Sequence, residues 1–109
     1  MKKEAEDLLE NADLRHDEAL MSFIFDVVSK YYGVSKESYN HNIRRREIMM
    51  ARKVSMYLIK NNSQITLERI AKFFDKNHAT AIHSIKSIKD HLTWDKDLQR
   101  QVDELNKVI

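Results

Sequence analysis

One glycine, Gly33, and no proline occur in 109 residues. Tight hairpins and sandwich corners depend on residues that adopt positive φ or fix it, so a chain this poor in both is restricted to helices joined by short polar turns. Apolar residues make up 42% of the chain, which suffices for one compact core. The expectation is an all-α domain with terminal extensions. Cys is absent, which excludes a disulfide framework and Cys-based zinc sites and fits a reducing compartment. No apolar run approaches the roughly 18 to 20 residues needed to span a bilayer, and Lys2-Lys3-Glu4 leads into no signal-peptide core. A cytoplasmic protein without membrane contact is expected, and the Met1-Lys2-Lys3 start suggests a complete small protein.

Charge is divided unevenly. Residues 1–20 carry 3 basic and 7 acidic side chains, whereas residues 21–60 carry 8 basic and 3 acidic ones. A basic middle between acidic ends offers one phosphate-facing surface and keeps the rest soluble. Ala5, Leu8, Leu9 and Ala12 recur at helical spacing from Lys3 to Asp13, which predicts a first, acidic amphipathic helix within an extension over residues 1–17. The main domain is then expected over residues 18–109. From about Glu18, the stripe Leu20, Ile24, Val27, Val28, Tyr31 predicts a second helix, with Gly33 placed for a left-handed C-terminal cap. Ser35 to Ser38 reads as a short turn, followed by His41-Asn42 and the run Arg44, Arg45, Arg46.

A long third helix is expected from Ile48, Ala51, Ser55 and Leu58, widened by Met50 and Val54, ending at Asn61-Asn62-Ser63. Thr66 suits the N-cap of a short helix carrying Leu67, Ile70, Ala71 and Phe74. After Asp75-Lys76-Asn77 a further helix begins near His78, with Ile82, Ile85, Ile88 and Leu92 facing inward. Thr93 is expected to cap a last helix bearing Leu98, Val102, Leu105 and Ile109, a stripe suited to core packing or, less simply, to a protein partner. Trp94 and Phe73 are expected in the core, and His83 as a packed residue.

The segment from Thr66 to Ile88 has the form of a helix-turn-helix, in which the second helix presents its N-terminus to a major groove about 12 Å wide while the first braces it. Lys76, Asn77, His78 and Thr80 are short or carry directed donors and acceptors, as base reading requires. The order Ile70, Ala71, Phe74, Lys76, Asn77-His78-Ala79-Thr80, Ala81-Ile82, His83, Ser84, Lys86, Ile88 resembles the signature of the C-terminal domain of the bacterial replication initiator DnaA. Phe23 to Tyr32 resembles that family's helix ending in two Tyr, and Arg44 to Leu58 its basic loop and long helix, so the resemblance covers roughly residues 20–92. It implies a Trp-repressor-like helical fold and binding of double-stranded DNA at replication origins.

Carried over by position, the resemblance makes Arg44 a minor-groove arginine within the basic run Arg44, Arg45, Arg46. It makes Arg52 and Lys53 phosphate contacts, and Lys76, Asn77, His78, Ala79 and Thr80 the major-groove residues. Two departures bear on what is read. Asn77 stands where the family has Asp, so it either pairs with adenine or caps the helix, and Ala79 replaces a Thr, keeping only a methyl contact with thymine. The turn is also shorter and lacks the family's glycines. A single glycine leaves no glycine-rich phosphate loop, no His-Glu-x-x-His spacing occurs, and no nucleophile sits in an identifiable triad. The expectation is therefore no ATPase or other catalysis, no metal and no cofactor. Rival readings are a transcriptional regulator using the same domain, and an adaptor binding a protein through its acidic first helix or its last helix. For the DNA reading, the nucleoid is the expected location.

Overall fold

The computed structural model describes residues 2–35 and 45–109, residues 2–14 by their backbone alone. These residues form five helices, α1 (Lys2–Tyr31), α2 (Arg45–Asn62), α3 (Leu67–Phe73), α4 (His78–Leu92) and α5 (Lys96–Val108), and no strand. The turn expected from Ser35 to Ser38, His41-Asn42 and Arg44 fall wholly or in part outside the described residues.

The two helices expected before Gly33 are one. Residues 13–17 interrupt the apolar pattern but contain no glycine or proline, so nothing removes a backbone hydrogen bond and α1 runs through. Its end is where a local signal exists. Gly33 has φ 68°, its N–H donates to the Lys30 carbonyl at 3.1 Å, and the Val34 N–H donates to the Ser29 carbonyl at 2.8 Å. This paired closure satisfies two carbonyls that the helix leaves open, and it requires a left-handed residue that glycine supplies without a Cβ clash.

Helix α2 is the centre of the molecule, packing on α1 on one side and α4 on the other. Packing on two sides explains why it buries Met56 and Ile59 as well as the expected Ile48, Ala51, Val54, Ser55 and Leu58. The buried Ser55 hydroxyl is satisfied by donating to the Ala51 carbonyl at 2.6 Å. Helix α3 is capped as expected, Thr66 Oγ1 accepting from the Arg69 N–H at 3.3 Å, and Arg69 forms an ion pair with Asp17 that fastens α3 to α1. Phe73 keeps its expected packing role, its ring meeting Phe25 and Phe74 with centroids 6.5 and 5.0 Å away.

At the last helix the expected cap is corrected. Thr93 closes α4, its hydroxyl donating to the Asp90 carbonyl, and Asp95 is the N-cap of α5, accepting from the Asp97 and Leu98 N–H groups at 3.1 Å. The stripe of Leu98, Val102 and Leu105 is buried in the common core, with Ile109 partly buried beside it, so it belongs to packing and not to a free partner face. Tyr31 at the end of α1 and Tyr32 just after it hold α5 in place: the Tyr32 hydroxyl donates to Gln101 at 2.8 Å and the Tyr31 hydroxyl to Glu104 at 2.6 Å. Trp94, expected in the core, is 67% exposed on the α4–α5 turn, because only two residues separate Thr93 from α5 and the ring is turned onto His91 with centroids 5.2 Å apart. Among the described residues no helix is long and apolar enough to cross a membrane.

Candidate nucleic-acid interface

The α3–α4 turn closes without glycine by the same geometry that ends α1. Asp75 takes φ 54°, its N–H donates to the Lys72 carbonyl at 3.1 Å, and the Lys76 N–H donates to the Ala71 carbonyl at 2.8 Å. Asp is among the few side chains that tolerate this left-handed position, which is how the turn loses its glycine and keeps its shape. Asn77 follows in extended conformation and caps α4, its Oδ1 accepting from the Thr80 N–H at 2.7 Å. Of the two roles open to Asn77, its carbonyl oxygen is taken by the cap, and its amide nitrogen remains a donor facing outward.

This turn presents Lys76, Asn77, His78 and Ala79 as exposed residues, with Thr80 half-buried behind them. Helix α4 rests on the core through Ala81, Ser84, Ile85 and Ile88. Two expectations about it are corrected. Ile82, expected to face inward, is 42% exposed, and His83, expected to be packed, is exposed. The reason is angular: Ala81 and Ser84 take the core-facing places beside Ile85 and Ile88, which turns 82 and 83 onto the face of 78 and 79. Lys86 continues that exposed face. Ile82, His83 and Lys86 are the residues sequence reasoning missed, although their spacing of three and four from 78, 79 and 82 carried the signal.

Helix α2 contributes from behind. Arg52 is half-buried, and the cleft it lines is completed by Ser22, Phe25 and Asp26 of α1 and by Phe73, Phe74, Asp75 and Lys76, so a basic side chain of α2 and one of the turn share a cleft with two carboxylates just before α4. Arg52 Nε is buried without a hydrogen-bond partner among the described residues, while the cleft itself opens to solvent. Lys53 is half-buried next to it, and Arg45 and Arg46 are exposed in the first turn of α2. Cations at a helix N-terminus oppose its dipole, so this exposed pair gains nothing from the helix itself. Arg44 lies outside the described residues. Among the described residues no group of three or more His, Cys, Asp or Glu is arranged to hold a metal ion.

The family described as the bacterial DnaA protein helix-turn-helix matches residues 21–88. The chain belongs to this family. The match begins at Met21, the first buried residue of α1 among those whose side chains are described, and ends at Ile88, the last buried residue of α4, leaving α5 outside it. Among relatives, a chromosomal replication initiator protein DnaA of Bacteroides thetaiotaomicron is 34% identical over 87 residues, which is 79% of this chain and 18% of the relative. Those of Caldanaerobacter subterraneus subsp. tengcongensis and Crocosphaera subtropica are each 33% identical, over 92 and 100 residues, covering 84% and 91% of this chain and 21% and 22% of the relatives. The chain thus spans about a fifth of the length of the curated relatives it matches. The shared part is the DnaA helix-turn-helix and not a catalytic domain, and membership supports DNA binding.

Proposed function

We propose that the chain binds double-stranded DNA with sequence preference, in the manner of replication-origin recognition, without ATPase activity or other catalysis. The observation that carries this is that Arg52 and Lys76 line one open cleft just before α4, whose exposed N-terminus bears Asn77, His78 and Ala79. In this reading α4 lies in the major groove, where Lys76, Asn77, His78, Ala79 and Thr80 face base edges and flanking phosphates. Arg52 and Lys53 neutralise phosphates, Arg45 and Arg46 approach the backbone, and Arg44 enters the minor groove. The Asn77 amide, left as a donor by its cap, favours an acceptor such as a purine N7 where the family's Asp would accept from cytosine.

Residues 1–17 serve as an acidic extension that continues α1 and is available to a protein partner, and residues 18–109 as the DNA-binding domain. The site of action is the cytoplasm, at the nucleoid. The two kinds of contact are separated by two variants measured by fluorescence anisotropy on duplexes with and without an initiator-type box. Arg52→Gln, which keeps most of the stem, weakens binding to every duplex and lowers the salt slope by about 1, whereas His78→Ala relaxes discrimination between duplexes. Unchanged binding and discrimination in both variants would refute the site.

A further inference from the structure

We infer that Ile82 is a specificity-determining residue of the α4 surface, reading the C5-methyl group of a thymine in the major groove, with the Ala79 methyl beside it on a neighbouring base pair. The inference rests on the proposed insertion of α4 into the groove. Helix α4 has a complete set of core contacts without Ile82, since Ala81, Ser84, Ile85 and Ile88 are buried. Ile82 is nonetheless 42% exposed, and it follows His78 by four residues and Ala79 by three, which places it on the face that carries the groove residues. The other large exposed apolar side chains among the described residues, Phe23, Tyr31, Met49, Trp94 and Val108, belong to other elements.

A major groove offers a β-branched aliphatic side chain one matching feature, the thymine methyl. Every other base edge there presents donors or acceptors that isoleucine would strip of water without replacing the hydrogen bond. Discrimination therefore comes from attraction to thymine and from the cost at the other bases. The χ1 stiffness of isoleucine suits this role, because little side-chain freedom is lost on contact. Positions 79 and 82 are separated by about 4.5 Å along the helix, close to the roughly 3.4 Å step between bases on one strand, so the two apolar groups fall on adjacent steps. The target is accordingly expected to carry thymines at neighbouring positions under the second turn of α4.

Selection of bound sequences from a pool of randomised duplexes, followed by anisotropy on the selected site with its thymines replaced one at a time by deoxyuridine, tests this. The wild-type chain is expected to lose about fourfold in affinity, the effect of a single buried methyl, at each of two neighbouring thymines, one of them the thymine under Ile82. Ile82→Ala is expected to bind the thymine and deoxyuridine duplexes equally at that position while keeping its thermal midpoint. Ile82→Gln, which offers a donor and an acceptor, is expected to select adenine there. An Ile82→Ala chain that still distinguishes thymine from deoxyuridine as the wild type does would overturn the assignment and leave DNA binding standing. Failure of the wild-type chain to enrich any duplex would remove the DNA reading and this inference together.

Discussion

Two residues of the α3–α4 turn, Asp75 and Asn77, decide how α4 is aimed. Asp75 holds φ 54°, a conformation that costs an L-residue roughly 1 to 2 kcal/mol and costs Asp and Asn least. Asp75→Gly is expected to match or slightly exceed the wild-type stability, and Asp75→Val to lower it by about 1 to 2 kcal/mol, as measured by denaturant unfolding. Asn77 separates capping from reading. Asn77→Ala loses the bond to the Thr80 N–H and is expected to cost about 1 kcal/mol, whereas Asn77→Asp keeps a cap oxygen and replaces the outward donor with an acceptor. The Asp variant is expected to hold its stability while changing the preferred base from a purine toward cytosine, a combination read from unfolding and duplex binding on the same samples. At this scale the polar candidates were legible because turn chemistry and caps are local. Ile82 and His83 were not, because the direction of a side chain on a short helix is settled by which neighbours claim the core, and the small Ala81 and Ser84 claimed it, nor was Trp94, which the short α4–α5 turn holds outside.

Between elements, the least local device is the attachment of α5, whose residues lie outside the family match and whose partners lie 69 and 73 residues away at Tyr32 and Tyr31. The fully buried Leu105 is expected to cost about 2 to 5 kcal/mol when cut to alanine. The Tyr31 hydroxyl, donating to Glu104, holds that carboxyl below its usual range. Burial pushes the Tyr32 phenol from 10.0 up to about 12. A raised phenol pKa means that the folded state favours the proton, so its contribution is complete below pH 10 and is lost as pH rises through about 12. Thermal midpoints should fall across that window, and Tyr32→Phe should flatten the fall. Helices with explicit signals, Thr66 before α3 and Gly33 after α1, were legible in the sequence. The continuity of α1 was obscured by an apolar gap with no breaker beneath it, and the start of α5 by two nearby capping residues, of which Thr93 ends one helix and Asp95 begins the next.

For the whole molecule, the arrangement is an α1–α2–α4 core with the α3–α4 turn at one surface and α5 bracing the ends of α1 and α4. Basic side chains gather in residues 21–60 and in the turn, so association should be steered by charge and weakened by salt. The all-helical class and the helix-turn-helix followed from glycine scarcity and periodicity. The cleft shared by Arg52 and Lys76 did not, because it joins residues from separate elements. The most direct test of DNA reading by this surface is fluorescence anisotropy of the chain on duplexes with and without an initiator-type box, at about 50 and about 200 mM salt. Preferential binding to one duplex, with a log-log salt slope of roughly −3 to −5 from neutralising about 3 to 5 phosphates, is the predicted result. Absence of binding to either duplex at the lower salt would contradict it.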